Sequence, residues 1–190
     1  MYNFYWLPLD LTPIPEDIRN ECLAYESKPV INKTTDRVLK DHGKEYHNGF
    51  LTRYKLENVY DWIRANITDQ FDEVSAQIVE RGSITGPHTD RLRKWHLFYV
   101  FETGGDNVET VWYKEPGMPL WQDVFKVYDD YAKLEELHRC ILPANTWILF
   151  KSRIIHDVQN MTGTRKTLTV DFTTLPDQFR TLAETANFSQ

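Results

Sequence analysis

Residues 143–172 read PANTWILFKSRIIHDVQNMTGTRKTLTVDF. Three short apolar runs, at 147–150, 154–158 and 166–172, are separated by turn signals at Pro143-Ala144-Asn145 and at 160–163. Runs of this length between Pro, Gly and Asn read as strands. The last run decides the architecture. Side chains alternate across a strand, so Arg165, Thr167, Thr169 and Asp171 share one face, and Lys166, Leu168, Val170 and Phe172 share the other. The apolar face is expected to pack on helices. The polar face then lines a hydrated interior, which suits a small barrel only if that interior binds something polar. The same parity makes Arg165, not Lys166, the interior cation. In the preceding run His156 and Val158 face one way, Ile155 and Asp157 the other. A turn at 160–163 would make the two strands antiparallel neighbours and aim His156 and Arg165 into one cavity.

Working outward, strand signals fill the middle of the chain. Residues 74–79 read as a strand, 95–101 is an almost unbroken apolar run, and 109–114 can pair back across the turn cluster Gly104-Gly105-Asp106-Asn107. Residues 121–128 and 134–141 are weaker strand candidates. Upstream, 16–27 reads as a helix with Ile18, Cys22 and Tyr25 on one face, and 56–67 as a second with Val59, Ile63 and Ile67 in a stripe. Residues 28–53 are polar and lack a period, so they form a long arm or a lid over a site. Helices followed by many short strands predict a mainly β fold, a sandwich or jelly roll with N-terminal helices packed on the major sheet. One domain over 1–190 is expected. Its core is 74–172, its helical and lid region 1–73, and its C-terminal extension 173–190.

The chain has 190 residues, of which 41% are hydrophobic and 14% aromatic, enough for one sizeable core. A net charge of −6 makes nucleic acid a poor partner. The local basic group Arg91, Arg93 and Lys94 reads as a solvated turn. No run approaches the ~18 apolar residues of a membrane span, and the first residues lack the pattern of a signal peptide. Two cysteines, Cys22 and Cys140, belong to no paired motif. A soluble, cytoplasmic protein is expected.

Chemistry concentrates in His88-Thr89-Asp90 and His156. The first pair follows Thr85-Gly86-Pro87, a turn just after a strand. Two residues apart, His88 and Asp90 can aim into one cavity from a strand start, and His156 reaches it from a distant strand. Two imidazoles and a carboxylate can hold one face of a ferrous ion and leave the opposite face open. By itself a His-x-Asp arises readily by chance, so the reading rests on placement. His96 sits in an apolar run and reads as a hydrogen-bonded core or supporting residue. Trp112 and Trp121 read as core or pocket-wall aromatics.

This pattern resembles the Fe(II)- and 2-oxoglutarate-dependent dioxygenases, whose motif is His-x-Asp/Glu, a distal His and a basic residue about ten positions on. The matching residues are His88, Asp90, His156 and Arg165. Arg165-Lys166-Thr167 resembles the family's Arg-x-Ser, with Thr in place of Ser, and 143–172 is similar to the final strands of the prolyl and aspartyl/asparaginyl hydroxylase branch. The likeness covers roughly 74–172. Two departures stand out. Arg165 lies nine residues after His156, and the nearest echo of that branch's Arg-x-His is Lys94-Trp95-His96. The resemblance implies a double-stranded β-helix, an Fe(II) ion on His88, Asp90 and His156, and 2-oxoglutarate held by Arg165, Thr167 and a reach from Tyr99. It also implies oxidation of a peptide or small-molecule substrate with release of succinate and CO₂. Two alternatives stay open. A cupin-like metalloprotein would carry a His-x-His, which is absent near His88. A non-catalytic jelly-roll module would leave the polar interior face unexplained.

Overall fold

The computed structural model describes residues 4–24, 38–41, 44–47, 51–80, 86–90 and 93–186. Its elements are β1 (Trp6–Leu9), α1 (Glu16–Leu23), β2 (Val38–Asp41), β3 (Lys44–His47), β4 (Leu51–Tyr54), α2 (Glu57–Asn66) and β5 (Glu73–Val79). They continue with β6 (Trp95–Thr103), β7 (Glu109–Lys114), β8 (Glu135–Cys140), β9 (Trp147–Lys151), β10 (Ile155–Gln159), β11 (Arg165–Phe172) and α3 (Asp177–Ala186). The fold is mainly β, as expected. A six-stranded antiparallel sheet runs β1-β9-β6-β11-β5-β4, a three-stranded sheet runs β10-β7-β8, and β2 pairs with β3. The last pair and β4 fall in the segment expected as an arm or lid. The rest of that segment, and the end of the first expected helix, lie outside the described residues. Among the described residues no helix is long and apolar enough to cross a membrane.

Alternation in β11 sets the layers. Leu168, Val170 and Phe172 pack with Leu97, Tyr99 and Phe101 of β6 and with Trp147 and Leu149 of β9. Ile18 and Cys22 of α1, Val59 and Ile63 of α2, and Phe179 and Ala183 of α3 cover them. The spacings of these helical residues, four or so apart, place each set on one face. The third helix lies in the stretch read as a plain C-terminal extension. Between the sheets a smaller cluster joins Phe98, Ile148 and Phe150 to Trp112, Leu142 and Ile154. Trp112 is thus core, as expected. The strand β1 escapes a sequence reading because Pro8 interrupts it. It lies at the edge of the sheet, where a missing N–H costs little.

Two expectations are corrected. The turn at 160–163 does not close a hairpin. Both edges of β11 are taken, by β5 and by β6, so no edge is left for β10. Instead β10 pairs with β7 in the other sheet, with His156 opposite Trp112. The chain crosses between sheets after Asn160, which takes a left-handed φ of 62°. The crossing is pinned where Thr162 and Gly163 donate N–H bonds to Gly104 O. A side chain at Gly105 would meet Thr162 Oγ1 at 2.4 Å, which fixes glycine there. Second, residues 121–128 form no strand. They run as a strap whose ladder pairing is limited to an isolated bridge, Val127 to His88.

On the helix side of the major sheet, buried Lys151 lies with Nζ 4.5 Å from the centre of the Phe4 ring. Burial pushes its amine down to about 8. The folded protein then binds fewer protons than the unfolded chain between about pH 8 and the ordinary lysine value of about 10.4, and stability rises with pH across that window. Lys151→Met is expected to be more stable than wild type at pH 7 by about 1–2 kcal/mol, after allowing for the lost ring contact. The gain should stay constant below pH 8 and fade toward pH 10. Urea titrations of both proteins at the two pH values check this, and a gain that grows with pH would contradict it.

Candidate metal centre

His88 and His156 are cross-strand partners. Each N–H donates to the other's carbonyl, at 3.0 and 2.9 Å, and their rings lie 4.7 Å apart. The turn before His88 depends on Gly86, whose φ of 65° is in the left-handed region. Both rings are held the same way. Nδ1 of His88 bonds to Gly86 O at 2.7 Å, and Nδ1 of His156 to Ile154 O at 2.8 Å. A carbonyl only accepts, so each Nδ1 carries a proton and each Nε2 is the ring atom left to ligate.

The two Nε2 atoms converge on Asp90. Its Oδ1 is 3.8 Å from His88 Nε2 and its Oδ2 is 4.0 Å from His156 Nε2. One ligand atom from each of the three residues falls within 4.8 Å of the others, a group that could hold a metal ion. The Asp90 backbone is fixed by its N–H bond to Ser152 O. Burial opposes ionisation of Asp90, but Arg93, then His156, hold its carboxyl well below the usual range. Burial and the neighbouring His88 push His156 down to about 4. The site therefore offers an ionised carboxylate and a neutral imidazole at pH 7, the forms that ligate a metal. Nitrogen and oxygen donors of this kind fit a first-row transition ion.

Arg93 is not the solvated residue its sequence suggests. It is buried, donates to both Asp90 oxygens at 2.8 and 3.1 Å, and donates to Asp171 Oδ1 at 2.7 Å. Parity put Asp171 on the interior face. Its partner was hidden because Arg93 sits among other basic residues. The one available signal was its position three residues after Asp90.

The triad opens into a cavity of about 120 Å³ between the sheets. Arg165, Thr167 and Thr169 of β11 line it, as their shared face requires. Gln77 and Ser75 hold Thr169 by hydrogen bonds of 2.9 and 3.1 Å. Arg165 is buried, and its Nη1 donates to Thr103 O at 3.3 Å. Among the described residues no carboxylate pairs with it. Burial pushes its guanidinium down to about 10. His96 also lines the cavity, between Phe98 and Phe150, and both its ring nitrogens are buried with no hydrogen-bond partner among the described residues. The expected hydrogen bond is not made among the described residues.

Tyr99 is corrected. It stands one residue from Phe98 on β6, so it points to the opposite face, where it packs on Trp147 and Phe101. It cannot reach a cavity ligand through the sheet. His96 and Phe98 have the parity that faces inward.

No family profile matches the chain, and no curated protein sequence matches it. Solved structures do show likeness in fold. Escherichia coli ycfD is 14% identical, covering 93% of this chain and 52% of its own, with a TM-score of 0.47. The L-ribose isomerase of Cellulomonas parahominis is 10% identical, covering 80% and 78%, with a TM-score of 0.39. The dTDP-4-dehydrorhamnose 3,5-epimerase of Elizabethkingia anophelis is 10% identical, covering 74% and 68%, with a TM-score of 0.32. The chain spans about half the length of ycfD. Likeness this remote carries no argument about this chain.

His156→Ala and Asp90→Ala are each expected to weaken Co(II) binding on the order of 100-fold or more while the far-ultraviolet circular dichroism stays that of wild type. Calorimetric titration checks this, and equal affinity in wild type and both variants would contradict the ligand assignment.

Proposed function

We propose that this chain is an Fe(II)- and 2-oxoglutarate-dependent oxygenase that hydroxylates an amino-acid residue in a peptide or a small molecule. One observation carries the reading. A cavity that holds the His88–Asp90–His156 group on its wall also holds a buried arginine with no counter-charge among the described residues. A cation in that position costs several kcal/mol unless an anion joins it. A ligand that needs both a metal and a guanidinium is a small acid with two anionic ends, and 2-oxoglutarate fits that description.

His88, Asp90 and His156 would hold iron, which with 2-oxoglutarate and O₂ would supply an oxidant for substrate C–H bonds, one oxygen atom going to the substrate and the other to succinate as CO₂ leaves. The chain's own residues orient and enclose. Arg165 offers a planar fork to the distal carboxylate, and a bidentate pair fixes its direction as well as its distance. Thr167, on the same face, can donate its hydroxyl to the same group. The Thr103 carbonyl steadies the guanidinium. Phe98, Phe150, Leu142 and Val158 form apolar walls that exclude water from the reacting centre. Arg93 keeps Asp90 ionised and oriented from behind. Free Cys22 and Cys140 accord with a cytoplasmic setting, and the negative net charge accords with a substrate other than nucleic acid.

The test separates the two ends of the ligand. In the Mn(II)-loaded protein, Arg165→Ala is expected to weaken binding of labelled 2-oxoglutarate on the order of 100-fold, as for loss of a buried charge-assisted pair. Mn(II) affinity should be unchanged. Aerobic Fe(II) protein should form succinate from 2-oxoglutarate. Equal 2-oxoglutarate affinity in both proteins, or none in wild type, would contradict the proposal and favour a metalloprotein of another chemistry.

A further inference from the structure

We infer that residues 115–134 are a strap that positions the metal ligands, and that Thr89, between His88 and Asp90, is its fastening point. This rests on the reading of His88, Asp90 and His156 as metal ligands. Thr89 is fully buried. Its hydroxyl donates to Val124 O at 3.1 Å and accepts from the Lys126 N–H at 2.8 Å, and its own N–H donates to Lys126 O at 2.9 Å. Three bonds thus join one residue to the strap, and its side-chain bonds go to the strap's backbone and not to its own turn. A space-filling residue would need neither. On either side the strap holds the neighbours as well. The Tyr128 N–H donates to Pro87 O at 2.9 Å, and Val127 bridges to His88.

The strap also reaches the second ligand segment. The Gln122 N–H donates to Arg153 O at 2.9 Å, and the Tyr131 hydroxyl donates to Asp157, next to His156. Its own shape is braced by Glu115, which accepts from Lys126 Nζ at 2.7 Å and from the Tyr128 hydroxyl at 2.8 Å. One strap is therefore fastened to both segments that supply ligands. A shift of the strap therefore bears on the backbone that carries His88 and Asp90 and on the segment that carries His156. Coupling of this kind is reciprocal, so an ion that holds the ligands must also hold the strap. Thr89 is a positioning residue, since its bonds act through the flanking ligands.

The test uses the full chain and Co(II) alone. Thr89→Val keeps the shape and removes both hydroxyl bonds, whereas Thr89→Ser keeps the hydroxyl. Co(II) affinity is expected to fall about 10-fold or more in Thr89→Val, and to stay within about 3-fold of wild type in Thr89→Ser. Hydrogen exchange of wild type decides the point even if Thr89→Val folds poorly. Co(II) should slow exchange of the Lys126 and Tyr128 amides. A wild type that binds Co(II) without slowing those amides, or a folded Thr89→Val with wild-type affinity, would overturn the strap's role and leave the metal centre standing. A wild type that binds no Co(II) would overturn both.

Discussion

Everything at the candidate centre depends on one reciprocal pair of backbone hydrogen bonds, those between His88 and His156. They bring residues far apart in the chain into direct register. They also leave both imidazoles on the same side of the bridge. Once the backbones are paired, each ring needs only a local carbonyl to fix its tautomer, and Gly86 and Ile154 supply these from two residues upstream. Asp90, two residues beyond His88, then falls beside both Nε2 atoms. The centre is a product of strand pairing and local backbone geometry, with the side chains adding chemistry to a frame already set.

The second constraint is the polar inner face of β11. A strand that buries Leu168, Val170 and Phe172 on one side must place Thr167, Thr169 and Asp171 on the other. Each of these costs free energy in an enclosed space unless it is bonded. Thr169 is satisfied by Ser75 and Gln77, and Asp171 by Arg93. Arg165 is left with one long bond to a carbonyl. The protein thus bonds Thr169 and Asp171 internally and leaves a cation facing the cavity. That imbalance is the strongest physical argument that the cavity is built for an anion.

Much of this was legible in the sequence because period-two alternation is a local rule. It placed Arg165 inside and Lys166 outside, sent the apolar face to the helices, and grouped His88, Asp90 and His156. What failed was non-local. Nothing in 160–163 tells that both edges of β11 are already occupied, so a sheet crossing looks like a hairpin. The spacing of Arg93 from Asp90 hints at one carboxylate, but nothing nearby tells of the second, Asp171. Tyr99 was misplaced for a different reason. In a run apolar on both faces, such as 95–101, alternation loses its contrast, and only the partner strands reveal that His96 and Phe98 face inward. The strap from 115 to 134 was opaque because its bonds run through a side chain, Thr89, and so leave no periodic trace.

The central claim is that one cavity holds both an iron ion and 2-oxoglutarate, and an anaerobic titration tests it most directly. Fe(II) and then 2-oxoglutarate are added to the wild-type protein while the weak visible absorption of an iron–keto-acid chelate is followed. The account predicts a band that appears only with both present, saturates at one equivalent, and is missing from His156→Ala. Iron binding without a band at any concentration of 2-oxoglutarate would contradict it.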